Sequence, residues 1–296
     1  MARRRHPGAE HSGARMTGDT EGTFTGVGGV PIFYQCAAPA AEPRGVVLIA
    51  HGYAEHLGRY RDFVAHLTGR GFAVAAVDHR GHGRSGGPRG HCATFGDFVA
   101  DIRTLADRVE GWWAGVPRLL FGHSMGGLIA FLYLLRHPET VRAGALSAPA
   151  FRVPDAAPRA LQVIARLLGR IAPRVGLRSN LDERLLSRDP AVGAAYVADP
   201  LVHRRASAGF YCAVLAAQAT ARAEAARLTV PLLILQGDAD RIVDPAGAAE
   251  VATRITCPHE LVTLLGYYHE LLNEPEEERA RVLALLDRWF DRWLAP

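Results

Sequence analysis

Ser124 lies in Gly122-His123-Ser124-Met125-Gly126-Gly127, a serine with glycine at both second neighbours. That pattern is what a sharp strand-to-helix turn needs if it is to expose a nucleophile, because small flanking residues let a strained backbone pack. The flanks agree: residues 118–121 (RLLF) predict a short buried strand, and residues 125–136 (MGGLIAFLYLLR) predict an apolar helix. The chemistry implied is acyl transfer through a serine. A serine hydroxyl is a poor nucleophile at neutral pH, so it requires a base, a group to orient that base, and N–H donors for the developing oxyanion. The N–H of Met125, the residue after the nucleophile, is the first such donor. A second match, Gly83-Arg84-Ser85-Gly86-Gly87, overlaps a G-x-G-x-x-G at residues 81–86. Both would need a helix to open there, yet Gly87, Pro88 and Gly90 follow at once, so Ser85 belongs to a loop.

On a strand-turn-helix scaffold of this kind the partners follow in the order serine, acid, histidine. Of 13 histidines, only His259 and His269 lie beyond the last plausible acid loop. His259 follows Cys257-Pro258 at the start of a predicted strand, the wrong end of a sheet for chemistry. His269 follows a strand ending near residue 265, in Gly266-Tyr267-Tyr268-His269-Glu270, and so emerges beside Ser124. The acid must come from the loop after residues 232–236, where Asp238, Asp240 and Asp244 are all available. Spacing does not choose among them.

The elements that must position these groups alternate. Residues 24–35 predict an edge hairpin around Gly28-Gly29, followed by apolar strands at 46–50, 72–77, 119–121, 143–147, 232–236 and 261–265. Helical patterns at 60–70, 95–113, 128–136 and 245–255 separate them, and a last helix after Pro275 carries Val282, Leu285, Leu286, Trp289 and Trp293 on one face. Strand and helix in alternation mean right-handed crossovers and a mostly parallel α/β sheet covered on both faces. One interruption is too long for a single helix. Residues 151–222 carry helical rather than strand patterns and predict a cap over the strand C-termini, where such sheets hold ligands. The core is then 23–150 with 223–296. Within the cap, Leu161, Ile164, Leu168 and Ile171 form an apolar stripe opposite Arg159, Arg166 and Arg170, which suits either packing on its own domain or a lid that meets lipid.

Composition narrows the class. At 49% apolar, 296 residues can bury one large core with enough left for an insertion. No run of about 18 uncharged apolar residues occurs, and the basic Met1-Ala2-Arg3-Arg4-Arg5 lacks the apolar stretch of a signal peptide. Residues 1–22 predict a disordered tail, with Met16 as an alternative start. Cys36, Cys92, Cys212 and Cys257 lie far apart, so neither a zinc site nor a disulfide framework is indicated and a reduced cytoplasmic location fits. All 34 basic residues are arginine. Residues 151–190 hold eight of them against four acids, which accounts for the formal +4 charge of the whole chain. That segment is interleaved with acids and has no stacking platform, so it does not describe a nucleic-acid surface.

Taken with the elbow, His51-Gly52-Tyr53-Ala54-Glu55-His56-Leu57-Gly58-Arg59-Tyr60, the segment Asp78-His79-Arg80-Gly81-His82-Gly83-Arg84-Ser85, Asp199-Pro200-Leu201 and Tyr268-His269-Glu270 resemble the monoacylglycerol lipase and lysophospholipase branch of the α/β-hydrolases, in its bacterial form. The similarity runs from about residue 23 to 294 and includes the cap. It implies the α/β-hydrolase fold and an acid in a Gly-x-x-Asp-x-x-Val element, which matches Gly237, Asp240 and Val243. Asp238 then becomes a solvated loop carboxylate and Asp244 a helix N-cap. The family's His-Gly-x element makes the Tyr53 N–H the second oxyanion donor, a role in which its side chain need not matter. Glu55, His56 and Arg59 fit a buried polar network holding that loop. The resemblance implies a single-chain lipid ester as substrate, monoacylglycerol foremost, with transient membrane contact through the cap and no metal or cofactor required. Lysophospholipase or general carboxylesterase activity is the nearest alternative, and a non-catalytic ligand receptor on the same fold a more distant one. Oligomeric state is not encoded in any of these features.

Overall fold

The computed structural model of the chain describes residues 18–154, 167–179 and 181–294. Ten strands occur among them: β1 (Thr20–Thr25), β2 (Pro31–Ala37), β3 (Gly45–Ala50), β4 (Phe72–Val77), β5 (Arg118–His123), β6 (Ala143–Ser147), β7 (Gly176–Arg178), β8 (Arg205–Ser207), β9 (Leu232–Gly237) and β10 (His259–Leu264). Eight form one sheet in the order β1-β2-β4-β3-β5-β6-β9-β10. β1 pairs antiparallel with β2 and β2 with β4, and every later pairing is parallel. β3, β4 and β9 bury every residue. This is why they appear in the sequence as unbroken apolar runs rather than alternations.

Helices cover both faces. On one side α2 (Gly96–Trp112), α3 (Met125–Arg136) and α6 (Pro245–Ala252) pack against the sheet, with Phe98, Ile102, Leu128, Phe131 and Val251 fully or almost fully buried. On the other lie α1 (Arg61–Gly69) and α7 (Glu276–Leu294). Of the expected stripe of α7, Val282, Leu286 and Trp289 are buried and Leu285 and Trp293 half-buried; Phe290, outside that stripe, is buried too, and the Trp289 indole N–H donates to Gly144 O at 2.9 Å. Each such burial is worth about 1.5–3 kcal/mol. Together they fix the C-terminal helix under β6.

Register aligns the strand ends that matter. Ala50 pairs with Gly122, His123 with Ser147, Ser147 with Leu235, and Gly237 with Leu264. The loops after β3, β5, β9 and β10 therefore leave one edge of the sheet side by side.

Two expectations need correction. The hairpin begins at Thr20, paired with Cys36, so residues 20–22 belong to the sheet and not to a tail; residues 1–17 lie outside the described residues. The insertion between β6 and β9 is also not purely helical. Beside α4 (Pro190–Ala198) and α5 (Ala208–Glu224) it contains the antiparallel ribbon β7–β8. Three-residue strands are too short to show a period of two, and the ribbon's position depends on a distant loop: Ser207 N–H donates to Gly90 O at 2.9 Å. Gly90 has φ +62, and a Cβ there would stand 1.7 Å from Arg205 O, so only glycine admits the ribbon. Of the predicted apolar stripe, Leu161 and Ile164 lie outside the described residues, Leu168 is half-buried, and Ile171 is 72% exposed.

Under the cap, His51, His79 and His82 are fully buried, with the His51 and His79 ring centroids 4.2 Å apart. His51 Nδ1–H donates to Gly52 O while its Nε2 accepts from the His79 backbone N–H, a pattern open only to the neutral ring. Burial first and mutual repulsion second hold His79 and His82 well below the ordinary histidine pKa, and burial lowers His51. In the unfolded chain these rings titrate near about 6.5. The folded protein resists the protons that the unfolded chain accepts, so stability is complete above that pH and falls as pH drops below it, by up to about 1.4 kcal/mol per pH unit for each ring. Thermal melts should therefore give a clearly lower Tm at pH 5.5 than at pH 7.5. An equal Tm at the two pH values would mean that the folded protein accommodates charged imidazoles here.

Candidate active site

Ser124 stands between β5 and α3 with φ 53 and ψ −117, outside the regions that L-residues ordinarily occupy. Close packing holds it there. A Cβ on Gly122 would come within 2.3 Å of Gly126 O, and one on Gly126 within 2.0 Å of Ala50 O, so neither position tolerates a side chain. Ser124 N–H donates to Ser147 O and its own carbonyl accepts from Ala150 N–H, both at 2.9 Å, which pins the turn to the end of β6. Ser124 is 8% exposed, and the helix that follows leaves the Met125 N–H among the unpaired donors of its first turn.

His269 reaches the same edge from the loop after β10. Its Nδ1 bonds Asp240 Oδ2 at 2.7 Å, leaving Nε2 as the free acceptor of the neutral ring. Asp240 Oδ1 accepts the backbone N–H groups of Ile242 and Val243 at 2.8 and 2.9 Å, and Gln236 Nε2–H donates to Oδ2 at 3.2 Å. Burial alone would raise the Asp240 carboxyl, but His269 and these N–H donors hold it below its ordinary value. Burial likewise opposes the charged His269 ring, and the Asp240 carboxylate outweighs it, so the imidazole lies above its ordinary pKa. Gly237 permits the approach: a Cβ there would meet Tyr267 O at 2.3 Å. Among the described residues no hydrogen bond joins Ser124 Oγ to His269. The His269 ring packs on the neighbouring His123, with centroids 4.8 Å apart.

The other carboxylates of that loop have structural duties. Asp238 is exposed, and its Oδ1 accepts Gly266 N–H at 2.6 Å, bracing the turn before His269. Asp244 caps α6 through Ala246 N–H. His259 opens β10 at the far end of the sheet, and Ser85 is buried in an irregular loop, its hydroxyl donating to Asp78 O and accepting from Phe33 N–H.

Tyr53 follows Gly52, where a Cβ would lie 3.4 Å from the Ser124 Cβ, so the loop after β3 runs directly beside Ser124. Glu55 holds it. Its Oε1 accepts Gly52 N–H and Tyr60 O–H, both at 2.6 Å, and its Oε2 binds Arg59 at 2.7 Å. Burial would raise the Glu55 carboxyl, yet Arg59 overrides it and holds the group at about 2. The same Arg59 Nη1 also donates to Glu270 at 2.5 Å and Nη2 donates to it at 2.8 Å, and Glu270 in turn accepts from Asn273. The residue next to His269 is thereby tied to the loop next to Ser124. Glu270 was not among the residues singled out in the sequence; its adjacency to His269 in the Tyr-His-Glu motif was the available signal. His56 accepts Gly58 N–H through Nδ1, so its Nε2–H donates to Asp199 at 2.8 Å, which joins two motifs 143 residues apart.

Residues 41–276 match the family model described as serine aminopeptidase, S33. The chain is 43% identical over 261 residues to a monoacylglycerol lipase of Mycolicibacterium smegmatis, covering 88% of this chain and 93% of that one. It is 32% identical to the human monoglyceride lipase over 87% of this chain and 86% of that one. Among solved structures, the Paleococcus ferrophilus monoacylglycerol lipase superposes with a TM-score of 0.78 at 34% identity, covering 88% of this chain and 97% of that one. With the elbow, the parallel sheet and the inserted cap already described, similarity of this extent makes the chain a member of the serine aminopeptidase S33 family, in the monoacylglycerol lipase branch of the α/β-hydrolases.

Proposed function

We propose that this chain is a serine ester hydrolase that cleaves single-chain lipid esters, monoacylglycerol foremost, to fatty acid and alcohol through an acyl-enzyme on Ser124. The observation that carries the mechanism is the 2.7 Å bond between His269 Nδ1 and Asp240, at the sheet edge from which the strained Ser124 projects. Ser124 Oγ attacks the ester carbonyl and passes its proton to His269 Nε2. Asp240 keeps Nδ1 protonated and stabilises the imidazolium, without itself taking the proton. The oxyanion is bound by the N–H groups of Met125 and Tyr53. His269 then protonates the departing glycerol oxygen, and water, deprotonated by the same ring, releases the fatty acid. Bonds between nucleophile and base are often long in the absence of substrate and shorten in the complex.

The monoacylglycerol and monoglyceride lipases among the relatives support the substrate class. Peptide cleavage from a free N-terminus has less support, because that chemistry needs a carboxylate to seize an α-amine. Each acid of the described cap is already engaged: Asp182 with Arg184, Glu183 with Arg204, Asp189 at the N-terminus of α4, and Asp199 with His56. The cap also carries the surface that we propose meets lipid. Leu167, Ile171 and Val175 are 56%, 72% and 42% exposed, beside the exposed Arg170, Arg174 and Arg178. A basic apolar surface gains buried area and attraction to anionic head groups together.

Ser124→Ala and His269→Ala are expected to lower kcat by about 10⁶, and Asp240→Asn by about 10⁴, whereas Asp238→Asn should stay within a few-fold of the parent. A dead Asp238→Asn beside an active Asp240→Asn would reassign the acid. The raised pKa of His269 sets the pH profile: catalysis needs the neutral ring, so kcat/KM should rise through an inflection above the ordinary histidine value. In the residual activity of Asp240→Asn, which lacks the carboxylate, that inflection should move to lower pH; an unmoved inflection would mean that another group titrates.

A fluorophosphonate probe should label Ser124, and fatty-acid release should be faster from monoacylglycerol than from a triacylglycerol emulsion or a lysophospholipid. Absence of labelling would favour a ligand-binding role, and faster release from lysophospholipid would shift the substrate class. For the cap, sedimentation with anionic vesicles should exceed that with neutral ones and weaken with salt. Leu167→Ser with Ile171→Ser should lower activity on vesicle-borne substrate while sparing a short soluble ester. Equal losses on both substrates would assign these side chains to packing.

A further inference from the structure

The loop that presents the Tyr53 N–H is fastened to the cap as well as to the core beneath it. Tyr53 O–H donates to Arg205 O at 2.7 Å, in the β8 strand of the ribbon. Its ring stacks on Phe210 at 5.3 Å and 23°, and meets the edges of His82 and His203 at 5.9 and 5.6 Å. One residue on, Ala54 O accepts His203 N–H at 3.1 Å, and two further on His56 donates to Asp199. Residues 53, 54 and 56 thus each hold a different part of the segment 199–205. Ala54 has φ +67, a left-handed conformation that costs a non-glycine residue on the order of 1 kcal/mol. Something must hold it. The bond from His203 to its carbonyl and the clamp on Tyr53 just before it do so from the cap side.

We infer that the Tyr53 side chain is a positioning residue that couples the seating of the cap ribbon to the aim of the oxyanion-binding N–H, so that a displaced ribbon releases the loop and leaves the oxyanion site incomplete. The inference rests on the proposed role of the Tyr53 backbone, and it gives the side chain a function that the backbone role alone does not require. Burial pushes the phenol up to about 12, so it remains a donor across any working pH.

Tyr53→Phe keeps the ring stack and removes only the phenol O–H, with its bonds to Arg205 O and to the Ser179 side chain, both in the ribbon segment of the cap. On a short soluble ester it should lower kcat by about 3- to 10-fold, the worth of one net hydrogen bond, with KM within twofold. An alkyl boronic acid, whose tetrahedral oxygen occupies the oxyanion site, should lose affinity by the same factor, while affinity for the fatty-acid product stays unchanged. Ala54→Gly supplies the positive φ without strain, so adding it to Tyr53→Phe should restore at least half of the lost kcat. A purely structural loss would not be rescued in this way. Full kcat in Tyr53→Phe, or a lowered kcat with unchanged boronate affinity, overturns the inference. Hydrogen exchange in a Ser124→Ala background separates this from the function itself. Tyr53→Phe should raise exchange of the amides at 52–54 and at 203–207 together, whether or not the protein hydrolyses esters, and a rise confined to one of the two segments refutes the coupling.

Discussion

One guanidinium fixes how the two halves of the site face each other. Arg59 lies between Glu55, which grips the loop beside Ser124, and Glu270, which adjoins His269. All three side chains are almost withdrawn from water, and a buried charge that loses its partner costs about 3–5 kcal/mol. Two carboxylates share a single cation, so their remaining lone pairs must be filled. Gly52 N–H, Tyr60 O–H and Asn273 Nδ2–H fill them. The arrangement resists any shift of the histidine loop relative to the oxyanion loop, because such a shift would break several charge-assisted bonds at once.

Against that fixed pair, the elbow is set by close backbone packing and by the two hydrogen bonds of Ser124 to Ser147 and Ala150. Gly126 lies against the carbonyls of Ala50 and His51, so α3 cannot recede from β3, and Ser124 keeps its strained backbone because no relaxed alternative fits. Backbone packing sets Ser124, ion pairs set the loops around it, and the cap reaches the loop after β3 through Asp199, His203 and Arg205.

Much of this was legible in the sequence. Strands buried on both faces announce themselves as apolar runs, and His269 could be found by eliminating histidines at the wrong end of the sheet. Asp240 could not be separated from Asp238 by spacing, since two positions in an irregular loop have no shared period. Their environments differ only once the chain folds: one accepts from Ile242 and Val243 and faces His269, the other turns outward to Gly266. Glu270 and the β7–β8 ribbon escaped for related reasons. The first acts through a partner 211 residues away, and the second is three residues long and owes its place to a glycine at position 90. Local patterns carry no trace of either.

That separation of 211 residues between Arg59 and Glu270 also bears on how the molecule comes into being. Contacts between such distant positions form late, after the loop entropy of most of the chain has been spent, and they slow folding. A nascent chain that has emerged only as far as β9 already holds Ser124, Arg59 and Glu55, but neither Glu270 nor His269. Its first carboxylate–guanidinium pair stays wet, and its strained serine has no base. Under the proposed mechanism, hydrolytic competence therefore waits until the final strand and its loop dock against the rest of the sheet.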